Sequence, residues 1–412
     1  MTRQIEALFL SLVVICICGE QASLGQSSTG LPSFGSFQSG QIDTINENNL
    51  NVHLSIPLFH KAGRGFPLNF QMAFDSSDWT VVWNATKEDS QWQYTNGWGT
   101  WGVAASIGQL SDPGTPLSLC PDSKQYLPTY TDSSGTIHGF GGYIYPPGNC
   151  GGSNSATLPA TDGSGYVLIM TNGGIVAYDR SGDTIATTPS ITDPNGNSLS
   201  LASNNTEVID TLGMTALTQQ YTFINNTTIS YTYYYTGPDD KTQETIVLTY
   251  TQLQVASNFG CNNYLGAVTE YGPSAVFLPT SILLADGSTY GFQYESNGKT
   301  GQTTGRVSEV ILPTGGDIQY TYASWPITST MCTEGSPQGL TRTTSDGAQW
   351  QYSRSGSGNF LGNVTTLTDP AFNQTVITFG YTSTGRWRGG YRARRLPHSR
   401  QRYDVVIGDL LQ

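Results

Sequence analysis

Residues 286–322 read DGSTYGFQYESNGKTGQTTGRVSEVILPTGGDIQYTY. Tyr290, Phe292 and Tyr294 alternate with small or polar residues, Val310 and Leu312 alternate, and Ile318, Tyr320 and Tyr322 alternate again. A period of two places each set on one face of a strand. Turn residues separate the sets: Asp286-Gly287, Gly305, and Pro313-Thr314-Gly315-Gly316. Gly admits positive φ, Pro presets φ and Asp bonds its own backbone, so such runs reverse the chain. Three short strands joined by turns are expected here.

The unit recurs about sixty residues on, which marks a repeat architecture. Asp346-Gly347 precedes Trp350 and Tyr352, as Asp286-Gly287 precedes Tyr290 and Phe292. Gly362-Asn363-Val364 echoes Gly305-Arg306-Val307, and Asp369-Pro370 leads to Val376, Phe379 and Tyr381. A repeat of this kind describes a scaffold and names no activity.

Working outward, the same habit fills the chain. Leu50, Val52, Leu54, Ile56 and Leu58 alternate with Asn51, His53, Ser55 and Pro57; Lys61–Gly65 turns, and Leu68, Phe70, Met72 and Phe74 return. Pro57 cannot donate to a ladder, so its strand is expected to be an edge there or to end there. His53 falls on the polar face and is expected to be solvated. Ile229, Tyr231, Tyr233 and Tyr235 form a second hairpin with Ile246, Leu248 and Tyr250. No amphipathic helix follows the N-terminal apolar run. Asp193, Asn195 and Asn197 have the spacing of a calcium-loop start, but the glycine and closing glutamate of that loop are missing. Asx turns explain them.

Composition agrees with short strands and many turns. Of 412 residues 48 are Gly and 23 are Tyr, while charged residues are 12%. Regular aromatic alternation argues against disorder. The net charge of −12 leaves no basic face for nucleic acid before the last turn of the chain. Seven of the 18 basic residues are Arg386, Arg388, Arg392, Arg394, Arg395, Arg400 and Arg402. Alternation stops there, and a shifted reading frame is the preferred explanation over a basic recognition arm. If the pattern ends at Tyr381, the last strand keeps a free edge and self-association is expected.

Ala7–Cys18 is an apolar run behind Arg3, followed by Ser23-Leu24-Gly25, which reads as an export signal. The run is shorter than the ~20 residues of a bilayer span. A secreted or cell-envelope location is expected, with no membrane span after signal removal. Four cysteines then remain, Cys120, Cys150, Cys261 and Cys332. An even number in an exported chain suggests two disulfides, and neighbour pairing, Cys120–Cys150 and Cys261–Cys332, is the simplest of three connectivities. No Cys/His spacing suggests zinc, and no cofactor is expected.

Trp79, Trp83, Trp92, Trp98 and Trp101 crowd residues 79–101. They could stack on a carbohydrate; filling a core is the preferred reading, because burial is the commoner use of indoles. Acidic residues such as Asp132, Asp179, Asp239 and Asp240 sit at turns, where capping explains them. With no Gly-x-Ser-x-Gly elbow, P-loop or His-Glu-x-x-His, a non-enzymatic role is expected.

The unit DGSTYGFQY…GRVSEVILPTGGDIQYTY resembles the YD-repeat, or Rhs-repeat, proteins of bacteria. The opening hairpin NLNVHLSIPLFHKAGRGFPLNF looks like the region before the repeats in exported members, and TYTDSSGTIHGF and IVAYDRSGDTI are similar to intervening units. The resemblance implies an all-β chain: short antiparallel strands and hairpins in an extended, spirally wound repeat sheet, a partial YD/Rhs-type β-shell. In full-length members the shell encloses a C-terminal toxin-like segment, and a core near its end self-cleaves through aspartates. Neither stands in this sequence, so no catalytic residue is carried over. The expected organisation is a signal peptide (1–25), a flexible lead-in (26–44), a Trp-rich β region (45–160), a hairpin region (161–255), YD/Rhs-like repeats (256–385) and an Arg-rich tail (386–412). The expected function is a structural or encapsulating segment in toxin delivery or cell-surface interaction. The implied partners are downstream repeats or a toxin segment, or alternatively cell-surface glycans on the Trp79–Trp101 region.

Overall fold

The computed structural model describes residues 30–31, 36–84, 89–99, 106–111, 114–117, 120–126, 129–140, 156–160, 162–171, 174–186, 190–237, 241–261, 268–323, 332, 335–355, 363–381, 387–395 and 402–405. Almost all of it is β. Strands β1 (Phe37–Ser39), β2 (Asp43–Asn46), β3 (Val52–Lys61) and β4 (Leu68–Asp75) form an antiparallel sheet in chain order. β5 (Trp79–Asn84) and β6 (Asp89–Tyr94) form a hairpin. β7 (Gln109–Ser111), β8 (Gly114–Leu117), β9 (Cys120–Tyr126), β10 (Thr129–Thr131) and β11 (Ile137–Gly139) make two small sheets, β11-β10-β7 and β8-β9.

A single sheet of twenty strands follows. It begins with β12 (Ala156–Pro159), β13 (Val167–Thr171), β14 (Gly174–Tyr178), β15 (Thr184–Ala186), β16 (Ser190–Thr192) and β17 (Ser198–Leu201). β18 (Glu207–Ile209), β19 (Thr215–Asn225), β20 (Thr228–Thr236) and β21 (Gln243–Val255) continue it. β22 (Val268–Thr269) leaves to pair with β6. β23 (Ser274–Leu283), β24 (Thr289–Ser296), β25 (Gln302–Ile311), β26 (Asp317–Ala323), β27 (Gly339–Thr344), β28 (Gln349–Ser355), β29 (Asn363–Thr368), β30 (Gln374–Tyr381), β31 (Trp387–Arg395) and β32 (Arg402–Val405) complete it. Strand order in the sheet is chain order. For β8, β9, β31 and β32 only the backbone path is described.

A meander of this kind puts alternate connections on opposite rims. One rim carries the short turns headed by Asp179, Asp193, Asp210, Asp286, Asp346 and Asp369. Asp193 shows how they work: its Oδ1 accepts the N–H groups of Asn195 (2.9 Å) and Asn197 (2.8 Å), and the Gly196 N–H returns to the Asp193 carbonyl. The Asx turn therefore accounts for the calcium-like spacing. The opposite rim carries the longer connections from β21 to β23 and from β26 to β27, described at 256–261, 268–273, 332 and 335–338.

The aromatic alternation lands where the period of two places it. Phe292, Val310, Ile318, Tyr320, Tyr322, Leu340 and Tyr352 are buried, and Val310↔Ile318, Tyr322↔Leu340 and Leu340↔Tyr352 are cross-strand partners. In the second hairpin Tyr231 faces Leu248 and Tyr233 faces Ile246. Gly305 differs from expectation: it is a bend inside β25, at φ +87°, and not a turn. The register of β24 against β25 shifts around it, and a Cβ there would meet the Tyr94 hydroxyl at 2.5 Å. Past this bend the first residues of β25 also pair in parallel with Gln254 and Val255 of β21.

One core cluster of buried residues runs from Ile45 to Leu367, and a second gathers Leu110, Tyr130, Phe140, Leu168, Ile175, Ala177 and Ile185. The four-stranded sheet packs on the large one: Phe70 meets Tyr233 at 4.8 Å and Phe59 meets Tyr235 at 4.7 Å. Several expectations are corrected. The lead-in is not wholly irregular, because β1 and β2 lie within 26–44 or cross its end. His53 is not solvated; it is 1% exposed, since Gly30 and the 132–136 turn cover the outer face of β3–β4. Its Nδ1 lies 3.2 Å from Asp75 Oδ1, which also accepts the Gly30 N–H and the Asn51 amide. Pro57 sits past the last β2 partner of β3, at a register shift, where no ladder donor is required. The edge expected at Tyr381 is covered: β31 pairs with β30 from Gln374↔Arg395 to Tyr381↔Trp387.

Candidate functional site

The tryptophans proposed for stacking on sugars lie in the core where they are described. Trp79 is 1%, Trp92 2% and Trp98 6% exposed. Trp79 stands among Trp92, Tyr94, Phe259 and Tyr271 at centroid distances of 6.3, 5.1, 5.4 and 5.6 Å. Its indole N–H donates to the Thr304 carbonyl at 2.9 Å, so even its polar edge is used internally. Trp98 packs on Phe74 and Phe292 and donates to the Tyr294 hydroxyl at 3.1 Å. These three rings have no face free for a ligand, which corrects that alternative for them. The Trp83 side chain and Trp101 lie outside the described residues.

The Cys261–Cys332 disulfide is present, with Cα atoms 5.6 Å apart. It ties the two long connections of one rim across 71 residues of sequence. Cys150 and the side chain of Cys120 lie outside the described residues. Cys261→Ser is expected to lower stability by about 2–5 kcal/mol, because the unfolded chain regains a long open loop. Urea denaturation checks this, and equal midpoints for the variant and the oxidised parent would refute it.

Three buried polar junctions concentrate the chemistry. In the first, His138 is held between two aspartates: Nδ1 lies 2.6 Å from Asp162 Oδ2 and Nε2 lies 3.3 Å from Asp132 Oδ2. Tyr130 and Tyr166 flank the ring at 5.8 and 4.5 Å. Burial by itself would lower the histidine; the hydrogen bonds and charges of Asp132 and Asp162 outweigh it and lift the pKa to about 9. Burial works to raise Asp162, yet His138 and the Ser164 bonds bring it down to about 2. Asp132 is lowered for the same reason. The junction is thus an ion triad at neutral pH. The histidine's folded pKa lies above its ordinary 6.5, so its contribution is complete below 6.5 and fades as pH rises through about 9. The aspartate contribution is complete above the ordinary 3.8 and fades as pH falls through about 2. Thermal melts are expected to lose stability between pH 7 and 10, with a smaller loss in His138→Gln. Parallel curves for the two proteins would show that the triad does not titrate in this way.

In the second junction Arg306, fully buried, donates from Nε to Glu295 Oε2 at 2.8 Å and lies over the rings of Tyr322 (4.5 Å) and Phe259 (5.3 Å). Asp78 is buried nearby. Burial pushes its carboxyl well above the usual range, and the attraction of Arg306 only partly opposes this. In the third, Arg342 grips Asp43 through Nε (2.5 Å) and Nη2 (3.0 Å), while the Tyr320 hydroxyl donates to Asp43 Oδ2 at 2.8 Å. The Arg342 guanidinium also lies 4.7 Å from the centroid of the Trp350 ring.

Sequence reading did not single out Asp43, Arg342 or His138. Each pairs with a residue whose nearness only the fold creates. Asp132, read as a turn residue, does head its Asx turn and in addition holds His138. Among the described residues no group of three His, Cys, Asp or Glu is arranged to hold a metal, and no helix is long and apolar enough to cross a membrane. A scan against family models found no match to this chain, and a search of curated proteins found none either.

Proposed function

We propose that this chain is a non-enzymatic structural segment of an exported β-shell of the YD/Rhs type, acting in encapsulation or at a cell surface. The observation that carries the reading is the order of the twenty-strand sheet, in which each strand pairs with its chain neighbours and a single detour, β22, leaves the series. A scaffold assembled by adding hairpins in sequence grows in this way. The four-stranded sheet supports the reading from one face: it is fastened along the meander by Lys61–Asp210 (2.7 Å), by Arg342–Asp43, and by the Thr365 hydroxyl on the Glu47 carbonyl (2.6 Å). Such ties would stiffen a wall.

Electron microscopy of the exported chain, produced together with whatever coding sequence follows it, tests the proposal. A curved wall around a cavity is expected. A flat or filled particle counts against it, as does catalytic turnover by the pure chain in a reducing-sugar assay.

A further inference from the structure

We propose that the cleft between the β1–β2 segment and strands β26–β28 binds a neutral saccharide. The cleft has a volume of about 440 Å³, and Gln38, Gln41, Asp317, Arg342, Asp346 and Trp350 are among its walls. That volume falls in the ~300–1,000 Å³ range of small-ligand sites.

Three of its polar groups, Arg342, Asp346 and Asp317, hold hydrogen bonds before any ligand arrives. Arg342 is 7% exposed and locked by Asp43, so its guanidinium plane cannot swing. Nε and Nη2 are taken by Asp43, and the guanidinium stands among the cleft walls. Asp346 uses Oδ1 on the Thr344 hydroxyl and the Ala348 N–H, and Asp317 uses Oδ2 on Gln319. The other oxygen of each carboxylate is without a hydrogen bond among the described residues. Gly40 lets the backbone pass close by: a Cβ there would overlap the Asp43 carboxylate and stand 2.8 Å from Arg342 Nη2.

Charge selects the ligand class. Asp43 neutralises Arg342, and Asp317 and Asp346 leave the cleft net negative, which disfavours phosphates and carboxylates. Planar amide, carboxylate and guanidinium groups match pairs of neighbouring hydroxyls. One face of the half-buried Trp350 ring carries the Arg342 guanidinium, and the rest of the ring, among the cleft walls, offers apolar contact for the C–H face of a pyranose. A cleft of about 460 Å³ along β19 and β20 lacks this set; Thr215–Thr218 and Tyr234 are among its walls, with no charged residue.

The full chain is tested on an array of neutral oligosaccharides, and the best binder is titrated by calorimetry. Binding is expected, weakened by about tenfold or more (1.4 kcal/mol) in both Gln41→Ala and Trp350→Ala. Gln41 is exposed, so that variant is expected to keep the parental melting temperature. Tyr234→Ala, in the other cleft, should leave binding unchanged. A blank array overturns the proposal. So do unaltered affinities in the Gln41 and Trp350 variants, or tighter binding of inorganic phosphate or spermidine than of any neutral glycan.

Discussion

Trp79→Ala is expected to destabilise the protein by about 3–5 kcal/mol, the cost of emptying a buried indole site. The ring touches four other aromatic side chains and its N–H meets the Thr304 carbonyl. Those partners come from β6, from the 256–273 connection and from β25, so the cavity would loosen three segments together. Trp79→Phe separates the terms. It keeps much of the apolar area and strands the Thr304 carbonyl, for an expected loss of about 1–3 kcal/mol. The comparison is made by urea denaturation with tryptophan-independent circular dichroism. A loss under about 1 kcal/mol for the alanine variant would mean that the site collapses or is wet, contrary to the packing described.

Asp43→Ala is expected to cost about as much, roughly 3–5 kcal/mol, for a different reason. Asp43 is 2% and Arg342 7% exposed. Removing the carboxylate leaves the guanidinium buried with its charge uncompensated. It also deprives the Tyr320 hydroxyl of its acceptor. The double variant Asp43→Ala/Arg342→Met removes both charges and should recover a large part of the loss. The recovery is the diagnostic quantity, because desolvation of a lone charge and loss of packing predict opposite signs for it. If the double variant is less stable than the sum of the single ones, the buried-charge explanation fails.

The architecture was legible in stretches. Tyr320 and Tyr322 face inward as their spacing demands, and Asp193 turns the chain by bonding two N–H groups within four residues of itself. The hairpin of Tyr231 and Tyr233 with Leu248 and Ile246 was readable from alternation on both sides of a turn. Gly305 was misread because a glycine at positive φ serves a mid-strand bend as well as a turn. His53 was misread because alternation tells which face a side chain takes and says nothing of what later covers that face. The pairing of β31 with β30 and β32 was not readable, because backbone hydrogen bonding does not depend on the side-chain alternation that ends there. Of the candidate site, the core reading of Trp79, Trp92 and Trp98 and the Cys261–Cys332 pairing were accessible beforehand.

The residues by themselves determined strand, turn and inward face, since each depends on neighbours a few positions away along one chain. The tertiary structure alone decided the partners: Arg342 finds Asp43 across 299 positions, and the Trp79 indole finds Thr304 across 225. Hydrogen bonds and ion pairs act over a few ångströms in space, and separation along the sequence carries no information about that distance until the sheets have packed.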